Sequence, residues 1–174
     1  MDRILTLVRA RYPMLMLVTH EEERVGRALE RLAAEESHAL YRWRATEGLV
    51  GPEGPVDGTH ELTDALVALD KLKDSGFLVL HDVSAWWGEA RILRQLRDLA
   101  LKVGPRGQTC FLVGCDSRIP VDLEKEITIV DVPLPEREAV GKLLATLVKA
   151  EKLDLPPERF WRFVDGCLGL TERE

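Results

Sequence analysis

Residues 12–25 read Tyr-Pro-Met-Leu-Met-Leu-Val-Thr-His-Glu-Glu-Glu-Arg-Val, and the fold turns on how this stretch is divided. Met14 to Val18 is a continuous apolar run with no polar alternate. A run that short predicts a strand covered on both faces, as in a parallel sheet. Beyond it, Val25, Ala28, Leu29 and Leu32 recur at helical spacing, which predicts a helix over 20–35. A buried strand feeding directly into an amphipathic helix is the opening half of a β-α-β unit. Upstream, Ile4, Leu5 and Val8 mark a short helix over 2–11 that Pro13 ends.

The pattern repeats downstream. Leu40 to Ala45 alternates, with Tyr41 and Trp43 on one side and Arg42 and Arg44 on the other, as a second strand would. Gly51, Pro52, Gly54, Pro55 and Gly58 read as a loop. Leu62, Ala65, Leu66, Leu69 and Leu72 predict a helix, Phe77 to Leu80 a third strand, and Leu93, Leu96, Ala100 and Val103 another helix. Thr109–Val113 and Ile127–Val130 are the fourth and fifth strands. After Pro133 and Pro135 the strands cease, and two helices follow, one carrying Val140, Leu143, Leu144, Leu147 and Val148, the other over 157–166. The expectation is an α/β fold: a five-stranded, mainly parallel sheet with helices on both faces over residues 1–134, then a small helical lid over 135–174.

Composition sets limits. The 174 residues are 45% hydrophobic and 31% charged, ordinary for a soluble globular chain, with a formal net charge of −6. An acidic balance argues against a nucleic-acid binder, which leans on clustered lysine and arginine. Arg91, Arg94 and Arg97 share one helix and read as a solvated face. Cys110, Cys115 and Cys167 are an odd set without CxxC spacing, as expected of thiols in a reducing compartment. No apolar run has the length of a membrane span, and no signal-peptide stretch opens the chain, so the expected location is cytoplasmic. The four histidines show no ligand spacing, so no metal site is expected, and no serine lies in a G-x-S-x-G context.

Several stretches together carry a resemblance. Besides residues 12–25 they are Trp-Arg-Ala-Thr-Glu-Gly-Leu (43–49), Phe-Leu-Val-Leu-His-Asp (77–82), Leu-Arg-Asp-Leu (96–99), Leu-Glu-Lys-Glu-Ile (123–127), Asp-Val-Pro-Leu-Pro (131–135) and Gly-Leu-Thr (169–171). In this order they resemble the N-terminal half of an AAA ATPase family found in many bacteria and encoded in some algal chloroplast genomes. The resemblance implies a degenerate RecA- or AAA-like domain followed, further along the parent chain, by a competent AAA module. ATP and magnesium would then belong to the parent and no cofactor to this segment. Its partners would be that downstream AAA domain and other subunits.

The residues themselves support such a reading. A P-loop places G-x-x-x-x-G-K-[ST] after the first strand, so that backbone amides and a lysine cradle phosphates. Here the strand is followed by Thr19, His20, Glu21, Glu22, Glu23 and Arg24, and no GK[ST] occurs anywhere. Thr19 and Glu22 spell a T-x-x-E capping box, with Glu21 and Glu23 adding negative charge at the helix's positive end. Like charges 4 Å apart repel by roughly 4 kcal/mol at an effective dielectric near 20, so a triphosphate would be unwelcome. A metal or a basic partner is the functional alternative for these carboxylates.

Asp82 closes a strand resembling a Walker B segment, where a Mg²⁺-associated carboxylate would stand. The plainer reading is a polar strand end that caps the next turn. Val83 occupies the place of the glutamate that orients attacking water. Asp116 or Ser117 would mimic a sensor residue and Arg118 an arginine finger, or the segment is a surface turn before Pro120. Trp86 and Trp87 either anchor a partner or cover the sheet edge. Thr171 and Glu174 spell a second helix-start signal at the last residue, which reads as part of a longer chain.

Three functions remain: a non-catalytic module contributing assembly, regulation or partner recognition to a downstream ATPase; an independent nucleotide-binding or weakly ATP-hydrolysing domain resting on Asp82 and Arg118; and an adaptor binding protein through Trp86 and Trp87.

Overall fold

The computed structural model describes residues 2–174, which form two compact units, one ending at Asp131 and the other spanning Val132–Glu174. In the first, α1 (Asp2–Arg9) precedes β1 (Met14–Val18), whose Met14, Leu15, Met16 and Leu17 are all at most 2% exposed. Burial on both faces is what a polar-free run allows. There follow α2 (Glu22–Glu35), β2 (Ala39–Arg44), β3 (Gly48–Gly51), β4 (Gly54–Val56), α3 (Leu62–Asp70), β5 (Gly76–His81), α4 (Ala90–Val103), β6 (Gln108–Gly114) and β7 (Ile127–Asp131).

The sheet has the order β4-β3-β2-β5-β6-β1-β7. Five strands are mutually parallel, β2-β5-β6-β1-β7, while β3 and β4 join antiparallel. The sequence predicts five strands; the structure has seven. The additional two come from the segment read as a loop. Gly51 pairs with Gly54 across a two-residue turn, and Val50 faces Pro55. Glycines and prolines hide the pattern there, yet each has a use. A Cβ on Gly51 would stand 2.8 Å from the Tyr41 ring, and Gly54 adopts φ +114°, open chiefly to glycine.

Alternation sorts the core into two layers. On one face Met14, Met16, Leu78, Leu80, Cys110 and Leu112 pack with Trp43 and with α3 and α4 through Leu62, Leu66, Leu69, Leu96, Leu99 and Val103. On the other, Phe77 meets Phe111 edge-on, with ring centroids 5.1 Å apart, and α2 turns Val25, Ala28, Leu29 and Leu32 inward. Trp43 is fully buried; its indole N–H donates to the Thr59 carbonyl at 2.9 Å. The Thr59 hydroxyl accepts from the Leu49 amide at 2.9 Å and donates to the Val56 carbonyl, tying the hairpin down. Cys110 is a plain core thiol; burial pushes its pKa up to about 12.

The second unit is helical. α5 (Arg137–Ala150) meets α6 (Pro157–Gly166) where Gly141 leaves room for the Trp161 ring, 3.4 Å from the position of a Cβ. Arg137 lies over that ring, 4.4 Å from its centroid, and pairs with Asp165 at 2.6 Å. In these two helices only Gly141 and Val164 are buried, while Leu143, Leu147, Trp161 and Phe163 are exposed. At the end, the Thr171 amide and hydroxyl donate to the Glu174 carboxylate at 2.9 and 3.0 Å, the reach-back half of a capping box.

Candidate functional site

In an open α/β sheet, ligands sit beyond the carboxyl ends of the strands, where the strand order reverses. Here that place is the end of β1, which has β6 on one side and β7 on the other. The strand ends are locked together: the Thr19 amide donates to the Gly114 carbonyl and the Asp82 amide to the Val113 carbonyl, both at 2.9 Å. The Cys115 thiol donates to the Thr19 carbonyl at 3.2 Å. Desolvation first, then the Asp82 and Glu22 carboxylates, raise the Cys115 pKa. Thr19, Glu22, Asp82 and Cys115 therefore share one corner.

The turn between β1 and α2 differs from the expected capping box. The helix starts at Glu22, and its N-cap is Glu21, with φ −116° and ψ 59° and no side-chain cap. The Thr19 hydroxyl accepts from the Glu21 amide at 2.9 Å, a turn made by the side chain two residues early. Glu22 cannot close the box from its side, because the Thr19 amide is already given to the sheet. Glu21 itself is buried and pairs with Arg24 at 2.6 Å. A carboxylate and a guanidinium of the chain's own thus pair at the start of α2.

Asp82 is exposed and adopts a left-handed backbone, φ 54° and ψ 27°. It stands at the N-cap of the short 3-10 turn Val83–Trp86 but makes no side-chain cap there, so the capping role read from sequence is not formed. Asp116 and Arg118 engage each other: Arg118 donates through Nε at 3.0 Å and Nη2 at 2.7 Å, and its amide at 2.9 Å. These bonds hold the Asp116 carboxyl well below its usual range, at about 2. The candidate sensor and the candidate finger are thus bound to one another. Trp86 meets Trp43 edge-on at 5.5 Å, and Trp87 donates its indole N–H to the Arg118 carbonyl at 3.0 Å. Both rings are half-buried against the core. On α4, Arg94 pairs with Asp98, and Arg97 approaches Glu126 at 3.9 Å, so two of the three helix arginines face carboxylates.

His81 was not anticipated. Its ring is 3% exposed, and burial, then Arg44, lowers its pKa to about 4. It lines a groove of about 250 Å³ between α2 and β2 together with Arg42 and Arg44. The alternation of β2 places both arginines on one face, but only the register of β2 on β5 sets Arg44 next to His81. Among the described residues, no group of three or more His, Cys, Asp or Glu is placed to hold a metal, and no helix is long and apolar enough to cross a membrane.

Residues 1–132 match the family described as SpoVK-like AAA ATPase, N-terminal domain. The chain is 27% identical over 171 residues to the AAA domain-containing protein ycf46 of Pyropia yezoensis, covering 95% of the chain and 34% of the relative. To ycf46 of Guillardia theta it is 28% identical over 171 residues, covering 95% and 33%. It spans about a third of the length of these relatives. Among solved structures it is similar to the replication initiator DnaA bound to AMPPCP and single-stranded DNA, with a TM-score of 0.58, 12% identity, and 98% of this chain and 55% of that one covered. Caenorhabditis elegans PCH-2 gives a TM-score of 0.57 at 8% identity, covering 99% and 58%. At such identities the likeness is one of fold.

Proposed function

The chain belongs to the SpoVK-like AAA ATPase N-terminal domain family, and from that premise we propose that it is a non-catalytic module of a longer AAA ATPase. It contributes assembly, regulation or partner recognition to a competent ATPase domain further along the parent, which takes the ATP and magnesium. The observation that carries this reading is the turn after β1. Phosphate recognition needs amides free at a helix N-terminus and a lysine beside them. This turn has neither the glycines nor the lysine, the Thr19 hydroxyl holds the Glu21 amide, and Glu21 pairs internally with Arg24. With Val83 in place of a water-orienting glutamate, the electrostatic parts of phosphoryl transfer are missing as well. Half-burial of Trp86 and Trp87 in the domain's own packing favours a structural part for them over a free-standing adaptor surface.

One feature favours the rival reading of an atypical nucleotide site: Asp82 is exposed at a Walker-B-like strand end. Calorimetric titration of ATP with Mg²⁺ into the 174-residue chain separates the two. No saturable heat is expected. Micromolar binding that disappears in Asp82→Ala would establish the rival.

A further inference from the structure

We propose that β7 is a docking strand for a second copy of this chain: two copies pair antiparallel along their β7 edges, Thr128 opposite Thr128, and join their sheets into one. Hydrogen-bond direction shows which backbone groups are open. The Cys110 amide donates to the Pro13 carbonyl and the Thr19 amide to the Gly114 carbonyl, both at 2.9 Å. Pro13 and Thr19 thus face β6, and so do the alternate residues between them, Leu15 and Leu17. Met14, Met16 and Val18 therefore turn their amides and carbonyls toward β7, where they stand level with Ile127, Ile129 and Asp131. In a parallel ladder each residue bonds to the neighbours of the one beside it. β1 accordingly holds Thr128 and Val130, and the backbone groups of Ile127, Ile129 and Asp131 point away from the sheet. β7 is the last strand in the order, and among the described residues no backbone bond takes up those groups. An open edge of this kind is a template for another strand.

The side chains select a second copy, in one register. With Thr128 at the two-fold axis, Ile127 and Ile129 of one copy face Ile129 and Ile127 of the other, and each facing pair exchanges two backbone hydrogen bonds. That pairing sets the isoleucines of both copies in one row and covers Ile129, which is 39% exposed. On the opposite face the two threonines meet at the axis, a favourable cross-strand pair. Further out, Lys125 comes level with Asp131 of the other copy, and symmetry repeats the match. Both residues are exposed, and among the described residues neither makes an ion pair. Opposite charges facing across strands are favourable. An axis at Ile129 would instead set Ile127 against Asp131. β7 contains neither proline nor lysine, the residues that commonly guard an edge. Because both copies use the same surface, the assembly closes at two.

Sedimentation velocity of the 174-residue chain tests this. So short an interface makes a weak complex, and a monomer–dimer equilibrium is expected between about 10 µM and about 1 mM. Ile129→Pro removes an outward amide and spares the Thr128 and Val130 amides that bond to β1. Each dimer then loses two backbone hydrogen bonds, so its dissociation constant is expected to rise by about tenfold or more, with the circular dichroism spectrum unchanged. Ile129→Lys, which leaves the backbone intact, is expected to act likewise and serves if proline disturbs the strand. In a Cys115→Ser, Cys167→Ser background, Thr128→Cys is expected to give a covalent dimer with glutathione disulfide, since such facing residues lie about 4.5 Å apart at Cα, within disulfide reach. Asp131→Cys, more exposed but roughly 20 Å from its own copy, is expected to stay uncoupled. A dimer that both Ile129 variants leave intact, or equal coupling through Thr128→Cys and Asp131→Cys, would overturn the assignment. So would a chain that remains monomeric up to about 1 mM, which would leave the edge to an extended segment of another protein.

Discussion

His81 shows what a single ring costs when a fold takes it out of water. The ordinary histidine value is 6.5, and burial beside Arg44 brings it to about 4. Between those values the unfolded chain takes up a proton that the folded one refuses, so stability falls as pH drops through that window and levels off below it. The whole interval amounts to about 3 kcal/mol. Urea unfolding at pH 7 and pH 4.5 checks this: His81→Phe should lose much of the wild-type difference, and an unchanged difference would refute it. Arg118 and Arg137 shift the Asp116 and Asp165 carboxyls downward, away from this window. Residue-level roles were only half legible. The letters Thr19 and Glu22 spell a capping box, but spelling does not show that the Thr19 amide is already pledged to Gly114. His81 carries no motif at all; its setting depends on strand register, which no local pattern encodes.

At the level of elements, periodicity carries far. The run Met14–Val18 gives β1 to the residue, and the helical spacing of Val25, Ala28, Leu29 and Leu32 gives α2, since each pattern follows from which face is buried. The hairpin β3–β4 escapes because its strands are four and three residues long and its glycines and prolines are the usual vocabulary of loops. Its stability rests on Thr59, which is 3% exposed and bonds to both strands through one hydroxyl. Thr59→Val keeps the shape and removes both bonds, leaving the Leu49 amide and the Val56 carbonyl to find other partners. A loss of about 1–3 kcal/mol is expected, with faster hydrogen exchange at the Leu49 amide. Unchanged exchange at Leu49 would show that the hydroxyl does not hold the hairpin.

For the molecule as a whole, the two units differ in how much they bury. The first contains all seven strands and both core layers. A fragment ending at Asp131 should therefore unfold cooperatively on heating, read by circular dichroism. Residues 132–174 bury only Gly141 and Val164 within their helices and leave Leu147 and Phe163 more than half exposed. Chains near 40 residues seldom hold a core without help, so that fragment should melt without a sharp transition; a sharp one would contradict this. The overall architecture was legible because alternating helices and buried runs admit few arrangements. The site was less so, because the setting of His81 beside Arg44 depends on how β2 registers on β5, which no local motif spells. Finally, Pro55 lies in the outermost strand, opposite Val50, and offers no amide hydrogen along a margin just three residues long. On that flank the β-ribbon lacks a donor for a neighbour's backbone at Pro55, which disfavours edge-to-edge polymerisation when identical copies crowd together.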